Sequence, residues 1–223
     1  MRFPNERLLS AIDAAQDKGQ PLNANKLDRA ILLLDDLPGI AVAGSLRKGE
    51  GENETDVGLK IADEPLANGE ISADNTGARS TGVERLTGNL YINSPLRVGD
   101  QLSANLIHSR GTDYGRLGYS IPVGYDGWRV GVSGSSLHYK LVSEELKRLD
   151  ARGASSTVGL EASYPIIRSR LRNLYLGLNA DNKHFDNEAN RATTTRYQIQ
   201  AFAIGLNGNL FDRLGGGGAN AAG

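Results

Sequence analysis

Hydrophobic positions recur along this chain with two different periods. Over residues 5–18, Leu8, Leu9, Ile12 and Ala15 fall on one helical face, and Gly19 with Pro21 stops the run. A second helix is predicted over 25–37, capped by Asn23 or Asn25. Its apolar residues Leu27, Ala30, Ile31, Leu34 and Leu37 recur at steps of three and four, and Pro38-Gly39 ends it. Alternation then takes over. Ile40, Val42, Gly44 and Leu46 share one parity, GEGENET (49–55) reads as a polar turn, and Val57, Leu59 and Ile61 alternate again. The order helix, helix, strand, strand predicts a small α+β module over 1–63.

Beyond EPLANG (64–69) helical periodicity nearly vanishes. Eight alternating runs are expected at about 70–75, 83–93, 101–109, 114–123, 128–141, 155–166, 171–181 and 194–211. The links NSPLRVGD (93–100), PVGYDG (122–127) and YPIIRSR (164–170) read as compact turns. VSEELKRLDARGA (142–154) and NKHFDNEANRAT (182–193) read as long polar loops. Short and long links alternate, so they fall at opposite ends of a meander, as in outer-membrane barrels.

The runs have one apolar parity, which includes Leu86, Leu90, Ile92, Leu102, Leu106, Leu160, Leu174 and Leu176. The other parity carries Arg85, Thr87, Asn89, Ser103, Asn105, Arg116, Glu161 and Asn173. Two arrangements produce this pattern. A soluble antiparallel sheet buries the apolar face, whereas a membrane barrel turns it to lipid and keeps the polar face in a hydrated lumen. Strand lengths near the ~9–11 residues that cross a bilayer favour the second. So do Tyr91, Tyr125, Trp128 and Tyr164, expected as an aromatic girdle near the short turns. Within 128–141 the apolar parity changes, from Trp128, Val130 and Val132 to Leu137, Tyr139 and Leu141. A bulge is expected there, or a strand that continues past the membrane.

Composition narrows the functional classes. At 223 residues the chain could hold one large domain or two ordinary ones. Its 25 basic and 26 acidic residues are evenly mixed and net charge is −1, so no nucleic-acid partner is expected. Without cysteine, disulfides and thiolate metal sites are excluded. The start, MRFPNERLL, lacks the pattern of a signal peptide. A mean hydropathy of −0.37 argues against membrane helices but not against a barrel, whose strands meet lipid only at alternate residues.

Chemistry-bearing constellations are scarce. His108, His138 and His184 are isolated, Asp35-Asp36 and Glu144-Glu145 diverge as adjacent pairs, and SGSS (133–136) lies inside an alternating run. GGGGAN (215–220) lacks the Lys-Ser/Thr of a phosphate loop and reads as a flexible turn. Neither an enzyme nor a metal or small-molecule cofactor is expected.

The segments LDRAILLLDDLPGI (27–40), TDVGLKI (55–61) and ISADNTGARSTGVERL (71–86) resemble a known family. NSPLRVGDQLS (93–103), GYSIPVGYDGWRVGVSGS (118–135), SYPIIRSRLRNLYLGL (163–178) and LFDRLGGGGAN (210–220) continue the likeness in order. The resemblance is to two-partner-secretion transporters of the ShlB/FhaC/HecB type, the hemolysin activator/secretion proteins. It implies the end of a POTRA domain at 1–63 and the first half of a transmembrane β-barrel at 64–223. The family's barrel has sixteen strands, and this chain would supply about eight of them. The family's first POTRA domain, plug helix and VRGY-type loop have no counterpart here, so the chain reads as a fragment of such a transporter.

The implied function is protein secretion across the outer membrane of a Gram-negative bacterium, with the POTRA portion in the periplasm. The expected partners are an unfolded secreted exoprotein and outer-membrane lipid. The exoprotein would add as a strand beside Ile40, Val42, Gly44 and Leu46, whose side chains also suit simple core packing. Arg85, Asn89, Asn105, Arg116, Glu161 and Asn173 would face the lumen, and the eight apolar residues named above would face lipid. Two alternatives stand beside this reading: a barrel-assembly protein of the same superfamily, and a soluble β-rich binding module with a helical cap.

Overall fold

The computed structural model describes residues 3–16, 20–49, 51, 54–212 and 218–222. Its first part is an α/β module of two helices and a hairpin: α1 (Asn5–Ala14), α2 (Ala24–Asp35), β1 (Ile40–Lys48) and β2 (Thr55–Asp63). α1 stops at Ala14 with Ala15 as its C-cap, short of the predicted end at 18, and Gly19 itself lies outside the described residues. Asn23 caps α2, its side chain accepting from the backbone N–H groups of Asn25 and Lys26 at 3.1 Å each. Leu27, Ala30, Ile31 and Leu34 form the buried stripe of α2, and Leu8, Ala11 and Ile12 that of α1. Both stripes close over Ile40 and Val42 of β1, with Val57, Leu59 and Ile61 packed against them. Gly44 lets α2 come close, because a Cβ there would stand 2.2 Å from Cδ1 of Ile31.

The second part is one antiparallel sheet of nine strands in sequence order. They are β3 (Ala67–Asp74), β4 (Arg85–Asn93), β5 (Gln101–Ser109), β6 (Thr112–Val123), β7 (Trp128–Lys140), β8 (Arg152–Arg168), β9 (Arg172–Ala189), β10 (Ala192–Asp212) and β11 (Gly218–Ala222). Each strand pairs only with its chain neighbours, so β3 and β11 are open edges among the described residues and the sheet is not closed.

Three expectations need correction. First, NKHFDNEANRAT is not a loop. β9 runs through Ala189, and Asn190 and Arg191, at φ of 53° and 62°, turn the chain directly into β10. Cross-strand pairs hold these polar ends: Phe185 stacks on Tyr197 at 4.8 Å, Arg196 donates to Asp186, and Gln198 donates to Asn182. Second, β7 carries no bulge, since its register with β6 and β8 is continuous over its length. The change in apolar parity is real, but it marks one strand whose two halves carry opposite polarity. Third, part of GGGGAN is strand: residues 218–220 belong to β11, while 215–217 lie outside the described residues.

Candidate functional site

The sheet sorts its side chains as the alternation requires. Leu86, Leu90, Ile92, Leu102, Leu106, Leu160, Leu174 and Leu176 all lie on one face, together with Leu117, Val132, Phe202 and Ile204. That face is open. Phe202 and Ile204 are 82% and 80% exposed, and Leu106, Leu117 and Leu160 are above 60%. Among the described residues the buried apolar core consists of module residues alone. The soluble-sheet alternative needs this face covered, and among the described residues this chain supplies no cover for it. Isolated monomeric surfaces seldom leave so long an apolar band uncovered.

The opposite face carries the expected polar residues, but in three groups. Asn89, Asn105 and Arg116 form one cross-strand row. Asn105 donates to Asn89 at 2.6 Å, and Arg116 reaches Ser133 at 3.1 Å and Glu161 at 3.9 Å. Arg85 lies away from this row, at the end far from the module, where it pairs with Asp74 at 3.1 Å. Asn173 sits at the module end, accepting from Arg168 and donating to Asn209. Tyr91 also belongs to this polar face, opposite Ser103, so it is no part of an aromatic girdle on the apolar side. Its parity within β4 carried that information.

Trp128 and Tyr164 do lie together at the turn end of the apolar face, stacked at 4.8 Å. Arg29 of α2 stands over Tyr164 at 6.0 Å. The three isolated histidines converge on a belt at the other end of the same face. His108 pairs with Asp113, which faces His138 across β6 and β7, and His184 lies opposite Ser156.

The sequence reading missed the contact between module and sheet. Three turns, 94–100, 124–127 and 169–171, receive α1 and α2. Arg168 grips Asp36 with two hydrogen bonds of 2.7 Å, and Arg170 grips Asp28 at 2.8 and 3.0 Å. Asp28 raises the pKa of Arg170 above its ordinary value by accepting these bonds. Arg29 donates to the carbonyls of Pro165 and Asp126, and Arg7 to that of Val98. A register shift between Pro165 and Ile167 bends the end of β8 beside the Pro165 carbonyl.

The turns are stiff enough to serve as docking posts. In 94–100 the fully buried Asp100 carboxylate accepts from the N–H groups of Leu96 and Val98 and from the hydroxyl of Tyr119. Gly99, at φ +80°, passes close to Leu37, where a Cβ would come within 2.9 Å of Cδ2. The signal for this interface was the acid spacing of LDRAILLLDD against the basic IIRSR, legible only once the two segments are known to meet.

Among the described residues β1 presents a free edge on its side away from β2. The carbonyl of Gly39 and the N–H of Gly49 bond the β2 side of the hairpin, which directs the backbone groups of residues 40, 42, 44 and 46 outward. Asp35 accepts the outward N–H of Val42 at 2.7 Å. Ile40 and Val42 bury their side chains in the core, whereas Leu46 is half exposed.

No helix among the described residues is long and apolar enough to cross a membrane, which says nothing about strands. Fold and faces define a class: an open antiparallel meander with one apolar and one polar surface, joined at its turn end to a small α/β module. Residues 53–220 match the model of the haemolysin secretion/activation protein family ShlB/FhaC/HecB, and the chain belongs to that family. It is 27% identical over 188 residues to a heme/hemopexin transporter protein, HuxB, from Haemophilus influenzae, covering 83% of this chain and 33% of that protein. A hemolysin transporter protein, HpmB, from Proteus mirabilis is 27% identical, covering 76% of this chain and 31% of its own length. The chain thus spans about a third of these relatives. The solved structure of CdiB from Escherichia coli superposes with a TM-score of 0.75 at 22% identity, over 93% of this chain and 40% of CdiB.

Proposed function

We propose that the chain takes part in translocating a secreted partner exoprotein across the outer membrane. The observation that carries this reading is a single sheet with two chemically opposite faces, its apolar face uncovered, in a chain of the haemolysin-secretion family. Leu86, Leu90, Ile92, Leu102, Leu106, Leu160, Leu174 and Leu176 then meet lipid. Arg85, Asn89, Asn105, Arg116, Glu161 and Asn173 face a hydrated passage, as part of a barrel formed over residues 64–223. Residues 1–63 act as a POTRA domain in the periplasm.

The module supplies recognition through the free edge of β1. An unfolded segment of the exoprotein adds there as a strand, using the outward backbone groups at Gly44 and Leu46, while Ile40 and Val42 anchor the strand to α1 and α2. Backbone pairing suits a cargo recognised while unfolded, because it reads the main chain before any tertiary surface exists.

The native absence of cysteine makes the test clean. Single-cysteine variants Leu46→Cys on the edge and Lys60→Cys on β2 are expressed in cells that make a family exoprotein, and cross-linking to the secreted chain is measured. Cross-linking at 46 and not at 60, from protein found in the detergent-extractable outer-membrane fraction, is expected. Recovery of the protein in the aqueous fraction without detergent would sink the membrane reading. Equal cross-linking at both positions would sink the edge-strand reading.

A further inference from the structure

Between the module and the turns lies a cleft of about 190 Å³, continued by a second of about 520 Å³. The two share Ala11, Ala30, Leu33, Gly124, Tyr125 and Trp128, so their common wall is mostly apolar. The first is lined by Arg7, and the second by Lys26 and Arg29.

The two arginines are not neutralised. Arg7 bonds the carbonyl of Val98, and Arg29 bonds those of Asp126 and Pro165. Carbonyl oxygens satisfy donors but carry no net charge to offset a guanidinium. Nη1 of Arg29 is buried without a hydrogen-bond partner. Among the described residues neither arginine forms an ion pair, whereas the neighbouring Arg168 and Arg170 both do. Asp126, which lines the second cleft, pairs with neither.

The cleft also runs on into the apolar face. Val123 ends β6 and Trp128 begins β7, and both line the second cleft while belonging to the strands. A ligand that fits must be apolar along its length and anionic at one end.

We infer that this junction holds an anionic glycerophospholipid, its phosphate at Arg7 in the first cleft and an acyl chain passing Trp128, which both clefts share, toward the apolar face. The inference rests on that face meeting lipid, as proposed above. The lipid would supply Arg7 with a counter-charge that no ion pair among the described residues provides, and it would tie the module's position to the membrane surface.

Trp128 is the chain's single tryptophan and reports directly on the site. The full chain is reconstituted in phosphatidylcholine vesicles containing brominated phosphatidylglycerol or, in parallel, brominated phosphatidylcholine. Quenching of Trp128 should favour phosphatidylglycerol by roughly fivefold or more in effective lipid affinity, the scale set by one surface cation near an anionic lipid. Arg7→Gln should remove most of that preference and Arg7→Lys should keep it. Val98→Phe, which narrows the cleft and leaves the charges, should lower quenching by both lipids. Equal quenching by the two lipids in the unmodified chain overturns the inference and leaves the membrane reading standing. A preference that Arg7→Gln leaves intact overturns it too. Absence of quenching by either lipid overturns both.

Discussion

Arg168 donates from Nε and Nη2 to the two carboxylate oxygens of Asp36, each at 2.7 Å, joining residues 132 positions apart in the chain. The Arg168 side chain is only 15% exposed. This contact, the Arg170–Asp28 pair and the Arg29 bonds to two carbonyls make up most of the polar joint between module and sheet. Removing Arg168 leaves the Asp36 carboxylate, 39% exposed, without its bidentate match. Arg168→Ala is expected to weaken docking by about 2 kcal/mol. Hydrogen exchange in α2 should accelerate while exchange in the centre of the sheet stays unchanged. The reversed pair Asp36→Arg with Arg168→Asp should recover part of the loss, and a double variant no better than either single change would refute the pairing.

Gly44 and Ile31 make a second sensitive contact. A Cβ at position 44 would overlap Cδ1 of Ile31, so Gly44→Ala should destabilise the module by about 1–3 kcal/mol, the usual cost of overpacking. Ile31→Val deletes that Cδ1 methyl. Thermal unfolding should show Ile31→Val with Gly44→Ala more stable than Gly44→Ala alone.

The two faces of the sheet should respond oppositely to one charge. On the membrane reading, Ile204→Arg places a guanidinium on the exposed apolar face and should cost about 2–4 kcal/mol of folding into bilayers. Asn179→Arg lies on the polar face, opposite Glu161, and should cost almost nothing. Urea titration of vesicle-folded protein measures both. Equal costs would mean that the faces are not solvated differently.

Asn190 and Arg191 turn β9 into β10 with positive φ at both positions. Arginine holds that conformation against its Cβ, whereas glycine does not. Arg191→Gly should therefore stabilise the β9–β10 tip by about 1 kcal/mol, read as slower hydrogen exchange in residues 185–189 and 192–197.

Legibility differed from element to element for identifiable reasons. β5 matches its predicted bounds because Gln101–Ser109 alternates cleanly and NSPLRVGD carries strong turn residues. The C-terminal end of β9 was misread because its polarity, measured alone, looks like a loop. That end is held by cross-strand partners such as Asp186 with Arg196, a pairing that hydrophobic periodicity does not register. Tyr91 was assigned by its nearness to a turn when parity already placed it on the polar face. β11 reads as Gly-Ala-Asn-Ala-Ala, too poor in β-branched or aromatic residues to signal a strand without β10 beside it.

By itself the amino-acid sequence determined the local periods: two amphipathic helices, a hairpin, and alternating runs with one apolar parity. Those are near-neighbour properties, set by backbone geometry and the spacing of side chains. The ordered motifs also carried the family likeness. Only the tertiary structure decided that the apolar face stays open and that the free edge of β1 is the one away from β2. It alone brought Asp28 to the turn at 169–171, Arg29 to the turn at 124–127, and Asp36 to Arg168 at the end of β8. These relations depend on which distant segments meet, and a charge or an apolar residue has no assigned partner until the chain has folded.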